Sequence, residues 1–364
     1  MAQTVTVTPP KFAWLLPPPA SNREDGYRYY WTGPIASVPA ATRATLARDV
    51  RRLFRDLHPP DARLLDPRGP SLWLATAGSG TQCHYDVADN VLVQLSGTKR
   101  VRCFPPGAGA KHLHVFPDAH PRARKAQVDF DRVPAEGDEA ARRFPHFAAA
   151  PPPALDAVLR PGDAVAIPAF WFHHVENGED TAAEGGAAPS VSVNSFSLSR
   201  PMMVAQQIFR RASLRPLRLM GAGHVATGAA AEDEALALAS SLLRVLGTAL
   251  VRGLRVVEEG REEAFVRRYL LEARYGPLRC GNPDGGHRDN EGGGRPRKSL
   301  TPAQRQAAQT CVVQVLPDFR RLLAEEEGDG AGIALLVGLH LLELWAVELV
   351  GAPAVAAAWD GALA

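Results

Sequence analysis

The first two hundred residues of this chain are expected to be mainly β, forming a closed pair of antiparallel sheets, and the remainder to be helical. Three observations predict this: short strand-like runs broken by turn residues between 27 and about 200, a leucine stripe at helical spacing after 230, and metal-competent side chains spaced as strands present them. With 364 residues and 46% hydrophobic content, the chain can fill one large core and a smaller one.

Residues 1–26, with Pro9-Pro10 and Pro17-Pro18-Pro19, are expected to be a flexible lead-in. Met1 to Pro19 carries one cation, Lys11, and lacks the charged start, long apolar core and cleavage site of a secretory signal. Leu46, Val50, Leu53, Phe54 and Leu57 recur at helical spacing and predict a helix over Thr42–Leu57. The runs Val91–Leu95 and Val101–Phe104 flank Ser96-Gly97-Thr98, which predicts a β-hairpin with Lys99 where its second strand begins.

Helices are expected from about 200. Leu236, Leu238, Leu242, Leu243, Leu246, Leu250 and Leu254 form a wide apolar stripe, and Glu262–Tyr275 is a second helical stretch. Residues 281–299, rich in glycine and charge, read as a linker; Thr301-Pro302 then supplies an N-cap and a proline at the first helical position. The apolar run Gly332–Trp359 is interrupted by His340, Glu343 and Glu348, which favours a buried or dimerising helix over a membrane span. The expected organisation is a catalytic β domain over 27–200, a helical, dimerising region over 201–280, and a C-terminal helical segment over 300–364.

Lys and Arg number 41 against 39 Asp and Glu, a net charge of +2 that permits a nucleic-acid partner without arguing for one. Cys83, Cys103, Cys280 and Cys311 show no Cys-x-x-Cys spacing, so a zinc ribbon or redox pair is unsupported and a reducing intracellular compartment, cytoplasmic or nuclear, is expected.

The chemistry is carried by His84-Tyr85-Asp86 and by Trp171-Phe172-His173-His174. Positions i and i+2 of a strand share a face, so His84 and Asp86 can reach one ion, and a histidine from another strand completes the set. Two imidazoles and one carboxylate with open positions suit non-haem Fe(II). His173 and His174 compete for the third place, and alternation turns them to opposite faces. His112, His114, His120 and His146 lack zinc-like framing and are read as surface or substrate-facing loop residues.

The stretch His84-Tyr85-Asp86-Val87-Ala88-Asp89-Asn90 with Gln94, Gly97 and Lys99-Arg100 resembles the JmjC-type hydroxylases. So do Gly162-Asp163, Ile167-Pro168, Trp171-Phe172-His173 and Val193-Asn194-Ser195-Phe196. Within that family, Tyr29-Tyr30, His84–Pro105, Arg142–Phe147 and Ile167–Val175 look most like the tRNA wybutosine-synthesising hydroxylases, and the resemblance covers roughly residues 27–275.

The resemblance implies a double-stranded β-helix, a jelly-roll or cupin-like barrel, with Fe(II) and 2-oxoglutarate as cofactors. It places the metal on His84, Asp86 and His173, and pairs Lys99 with the far carboxylate of 2-oxoglutarate. Tyr30 and Thr81 become hydroxyl donors, and Asn90 and Asn194 amide partners. The implied reaction is hydroxylation coupled to oxidative decarboxylation of 2-oxoglutarate, on a wybutosine-type guanosine in tRNA. A peptide substrate on the same site, or a non-enzymatic binding module, are the alternatives. The leucine stripe, with Arg267-Arg268, Arg295 and Arg297-Lys298, further predicts a homodimer with a basic face for RNA.

Overall fold

The computed structural model describes residues 4–6, 28–37, 69–130, 139–178, 189–218, 229–279, 298–324 and 329–363. They divide into two compact units, Met1–Phe104 with Pro152–Met202, and Pro105–Pro151 with Met203–Ala364. The stretch between Phe104 and Pro152, expected inside the β domain, therefore clusters with the helices, and the two expected helical regions form one unit. The helix expected at Thr42–Leu57 and nearly all of the expected linker lie outside the described residues.

Among its described residues the first unit has ten strands: β1 (Thr4–Thr6), β2 (Arg28–Pro34), β3 (Ser71–Ala75), β4 (Gly80–Tyr85), β5 (Asp89–Ser96), β6 (Thr98–Phe104), β7 (Leu155–Leu159), β8 (Ala164–Ile167), β9 (Phe172–Gly178) and β10 (Ser190–Ser197). They form a six-stranded sheet, β1-β2-β3-β10-β5-β8, and a four-stranded sheet, β4-β9-β6-β7. All pairings are antiparallel except that of β1 with β2. Thr4–Thr6, expected within the flexible lead-in, is thus an edge strand.

Alternation decides what faces inward. On β6, Lys99, Val101 and Cys103 are buried, while Arg100 and Arg102 point outward to Asp156 and Glu176. Leu92, Val165 and Ile167 of the six-stranded sheet pack with Val101, Cys103, Leu159 and Val175 of the four-stranded sheet in one cluster. Burial of such side chains contributes roughly 1.5–3 kcal/mol each. This is the closed double sheet that the sequence predicts.

The hairpin expected around Gly97 does not form. Both sides of β5 are taken, by β10 and β8, and both sides of β6 by β9 and β7. Gly97 instead passes the chain from one sheet to the other. Its φ is 66°, and a Cβ there would sit 3.0 Å from the Pro189 carbonyl oxygen. Gly97→Ala should cost about 1–3 kcal/mol of stability. An unchanged urea midpoint would remove the requirement for glycine at this corner.

The second unit contains α1 (Pro106–His112), α2 (Glu139–Arg143), most of α3 (Arg200–Arg211), α4 (Arg215–Arg218), α5 (Ala229–Leu254), α6 (Glu262–Val266), a π-helical stretch Arg267–Tyr275, α7 (Gly276–Arg279), α8 (Pro302–Leu323), α9 (Gly330–Val350) and α10 (Val355–Leu363). Thr301 caps α8 in a reciprocal capping box with Gln304, as the Thr-Pro signal predicts.

Leu242, Leu243, Leu246, Leu250 and Leu254 are buried, and α5 packs on α8, α9 and α10 of the same chain. The stripe read as a dimer interface is therefore covered within one chain, which removes that argument for a homodimer. By length and composition, α5 and α9 could each cross a membrane; α9 has 67% of its apolar window buried within the unit. Its Glu343 is tolerated inside because the Arg274 guanidinium lies 2.9 Å away and the Asp118 backbone N–H donates to it at 2.8 Å.

His114, read as a surface or substrate-facing loop residue, is also buried. Its Nδ1 lies 2.9 Å from the Ala273 carbonyl, and burial lowers its pKa to about 4, so it stays neutral. The sequence distance from His114 to Ala273 hides this partnership.

Candidate metal centre and cosubstrate pocket

The four-stranded sheet positions the first two histidines. His84 on β4 stands directly opposite His173 on β9, and directly paired antiparallel residues share a face. Between Thr81, paired with Val175, and His84, paired with His173, the register shifts. Gln82 and Cys83 together face the single residue His174, a β-bulge that lets Thr81 and His84 both point inward although they are three apart.

Asp86 does not lie in the strand with His84, as its spacing suggested. β4 ends at Tyr85, and Asp86 is fixed just beyond it by its carbonyl, which accepts the Phe170 N–H at 2.7 Å. Phe170 has a φ of 65°, and its turn is tied down further by the Ala169 N–H donating to the Asp89 carboxylate at 2.8 Å.

His84, Asp86 and His173 offer ligand atoms within 4.8 Å of one another, the one such group among the described residues. Asp86 Oδ2 lies 3.8 Å from His84 Nε2 and 3.7 Å from His173 Nε2, gaps that two metal–ligand bonds of about 2.1 Å can span. Each Nδ1 is held by a carbonyl, His84 by Gln82 at 2.8 Å and His173 by Trp171 at 3.1 Å. That arrangement places the proton on Nδ1 and leaves the Nε2 lone pair facing the cluster. Burial lowers the His173 pKa, against the opposing pull of Asp86, which favours the neutral ring that a ligand needs. The donor set fits Fe(II). His174 turns the other way, its Nε2 3.5 Å from Glu176.

Lys99 shares the inward face of β6 with Cys103, which is paired with His173. Four residue steps along the strand take Lys99 to Cys103, about 13 Å of rise. Lys99 is 4% exposed, its ammonium donates to Ser192 Oγ at 2.5 Å, and burial pulls its pKa down to about 8. Ser192 lies on β10 of the facing sheet, so this bond bridges the sheets. A buried cation held only by a hydroxyl among the described contacts can accept a carboxylate.

The other predicted pocket residues also sit on inward faces. The Tyr30 and Thr81 hydroxyls lie 3.4 Å apart across the two sheets, and burial pushes the Tyr30 phenol up to about 12. Asn194 Nδ2 donates to Asn90 Oδ1 at 2.9 Å, while Trp73 Nε1 donates to Asn194 Oδ1 at 2.6 Å. The two asparagines therefore brace each other. Ser192 and Trp73 escaped the sequence reading. Ser192 carries a faint signal, since it is two residues from Asn194 and shares its face; Trp73 carries none. Trp171 packs on the inner cluster, and its Nε1 is buried without an acceptor among the described residues.

Residues 22–197 match the family model described as a cupin-like domain. This segment is a cupin-like domain. The family resemblance seen in the sequence is thereby borne out, as is the fold class. The cupin-like domain is also similar to tRNA wybutosine-synthesizing protein 4 of Neurospora crassa, 29% identical over 180 residues that cover 48% of this chain and 13% of that protein. It is similar to tRNA wybutosine-synthesizing protein 5 of Danio rerio at 30% over 132 residues, 36% of each chain. The chain thus spans about a third or less of these curated relatives. A solved structure of YcfD, a ribosomal oxygenase from Escherichia coli in complex with cobalt and succinic acid, overlaps 45% of this chain and 31% of that one at 17% identity with a TM-score of 0.25, too slight a likeness to bear on function.

Proposed function

We propose that the cupin-like domain is an Fe(II)- and 2-oxoglutarate-dependent hydroxylase, with His84, Asp86 and His173 holding the metal. One observation carries the reading: two Nε2 lone pairs and one carboxylate converge, with both rings locked by backbone carbonyls. When bound, the iron and 2-oxoglutarate would supply, with dioxygen as the oxidant, the chemistry that places one oxygen atom in a C–H bond and the other in succinate as carbon dioxide leaves. The protein's own part is to orient and to exclude water. Lys99 receives the far carboxylate of 2-oxoglutarate in exchange for Ser192, Tyr30 and Thr81 offer hydroxyls beside it, and the Asn90–Asn194–Trp73 chain holds that wall rigid.

The favoured substrate is a wybutosine-type guanosine side chain in tRNA, in an intracellular setting. Its support is the naming of the similar proteins, and a splayed base in an RNA loop suits a protein pocket. Iron-loaded protein should release succinate in step with a 16-Da mass gain on tRNA carrying the modified base, roughly one for one, as oxygen insertion requires. The same coupling on members of a peptide library, with none on tRNA, would transfer the activity to a protein substrate. Uncoupled or absent turnover on both would sink the hydroxylase reading.

A further inference from the structure

The helical unit holds a second polar site with no part in the chemistry above. A cavity of about 380 Å³ opens between α5, α6, α8 and α10, a size within the range of small-molecule pockets. One face of α5 supplies Ser241, Arg244 and Thr248; α6 supplies Glu263, and Lys298 and Arg305 close it from the start of α8. Three cations therefore line the cavity against one carboxylate.

The charges are already arranged in a graded way. Arg244 Nε donates to Glu263 Oε1 at 2.6 Å, which neutralises the one acid in the lining. Lys298 pairs with Glu234, whose carboxylate lies outside the lining. Arg305 has no carboxylate partner among the described residues; its Nε reaches only the Leu300 carbonyl, at 3.4 Å. Exposed pairs such as Lys298–Glu234 contribute little and yield readily to a stronger anion. Guanidinium groups match phosphate oxygens with paired N–H donors, and a neighbouring hydroxyl and carboxylate suit sugar hydroxyls.

We infer that this cavity binds a phosphate monoester of nucleotide or sugar size, its phosphate on Arg305, Arg244 and Lys298 and its hydroxyls toward Glu263 and Thr248. The site belongs wholly to the helical unit and stands whether or not the barrel is a hydroxylase. A single-sign surface would attract any polyanion; a walled cavity holding both signs selects a small ligand with an anionic end and a hydroxylated body.

The test uses the full chain, with phosphorus NMR line broadening and calorimetry against AMP and inorganic phosphate, and adenosine as the phosphate-free control. AMP should bind saturably, inorganic phosphate more weakly, and adenosine not at all. Arg305→Gln should weaken AMP about tenfold. Arg244→Gln should weaken it more, because Glu263 is then left uncompensated. Arg100→Gln, which removes the same charge from the outer face of the barrel, should change nothing. Equal loss in Arg100→Gln, adenosine binding as well as AMP, or tRNA binding where AMP does not would each overturn the assignment. Circular dichroism on the exposed-residue variant Arg305→Gln keeps a folding defect from passing as lost binding.

Discussion

His84→Ala, Asp86→Ala and His173→Ala should each abolish Fe(II)-dependent turnover of 2-oxoglutarate, lowering metal affinity by more than about 100-fold, since even outer-shell changes cost 10–100-fold. The fold should persist, because the seven-residue inner cluster and both ladders remain. His174→Ala should be much milder, as its ring faces Glu176 on the outer side of the sheet. Anaerobic titration with Fe(II), read beside succinate production, measures both effects. Should His174→Ala be dead while His173→Ala turns over, the ligand set is misassigned and β9 faces the other way.

Lys99→Met should weaken 2-oxoglutarate binding by about 10–100-fold, the worth of a charge-assisted hydrogen bond, and leave metal affinity unchanged. The same substitution should stabilise the protein at neutral pH by on the order of 2 kcal/mol, because it removes a buried charge whose desolvation lowers its pKa from 10.5 to about 8. The sign follows from proton counting. Below about pH 8 the lysine is charged in folded and unfolded chains alike, and the folded state carries the whole desolvation cost. Between about 8 and 10.5 the unfolded chain binds the proton and the folded chain has released it, so this group makes stability rise with pH. Binding runs the other way: a dicarboxylate needs the ammonium, so its affinity should fall as pH passes above 8 in the wild type and stay flat in Lys99→Met. Lys99→Arg should not restore binding, since the planar fork has a different reach. A wild-type affinity that is unaffected by Lys99→Met would dismiss the pocket assignment.

The residues of the centre were legible because their types are rare together and their spacing implies a shared face. What holds them there was less so. Asp86 looked like a strand residue, and its position is in fact fixed by Phe170, 84 residues later in the chain. The turn at Gly97 was recognised from local chemistry, but turn chemistry does not say which sheet each arm will join; that depends on β10, β8, β9 and β7 competing for the same edges. The helices were visible as periodicity, and the cap at Thr301 as a motif. Which surface the leucine stripe would meet was invisible, because α8, α9 and α10 lie 50 to 110 residues beyond it.

The bulge at Gln82–Cys83 bears on how such centres are spelled. With one of those two residues deleted, the β4–β9 ladder would run regularly, Thr81 still opposite Val175 and His84 still opposite His173, both on the inner face. The distance in sequence between Thr81 and His84, which share the inner face, is thus free to be two or three without any change in what the cavity presents. A pattern written with one fixed gap would pass over chains that build the same wall with the other, and counting outward from His84 by strict alternation would assign Thr81 to solvent.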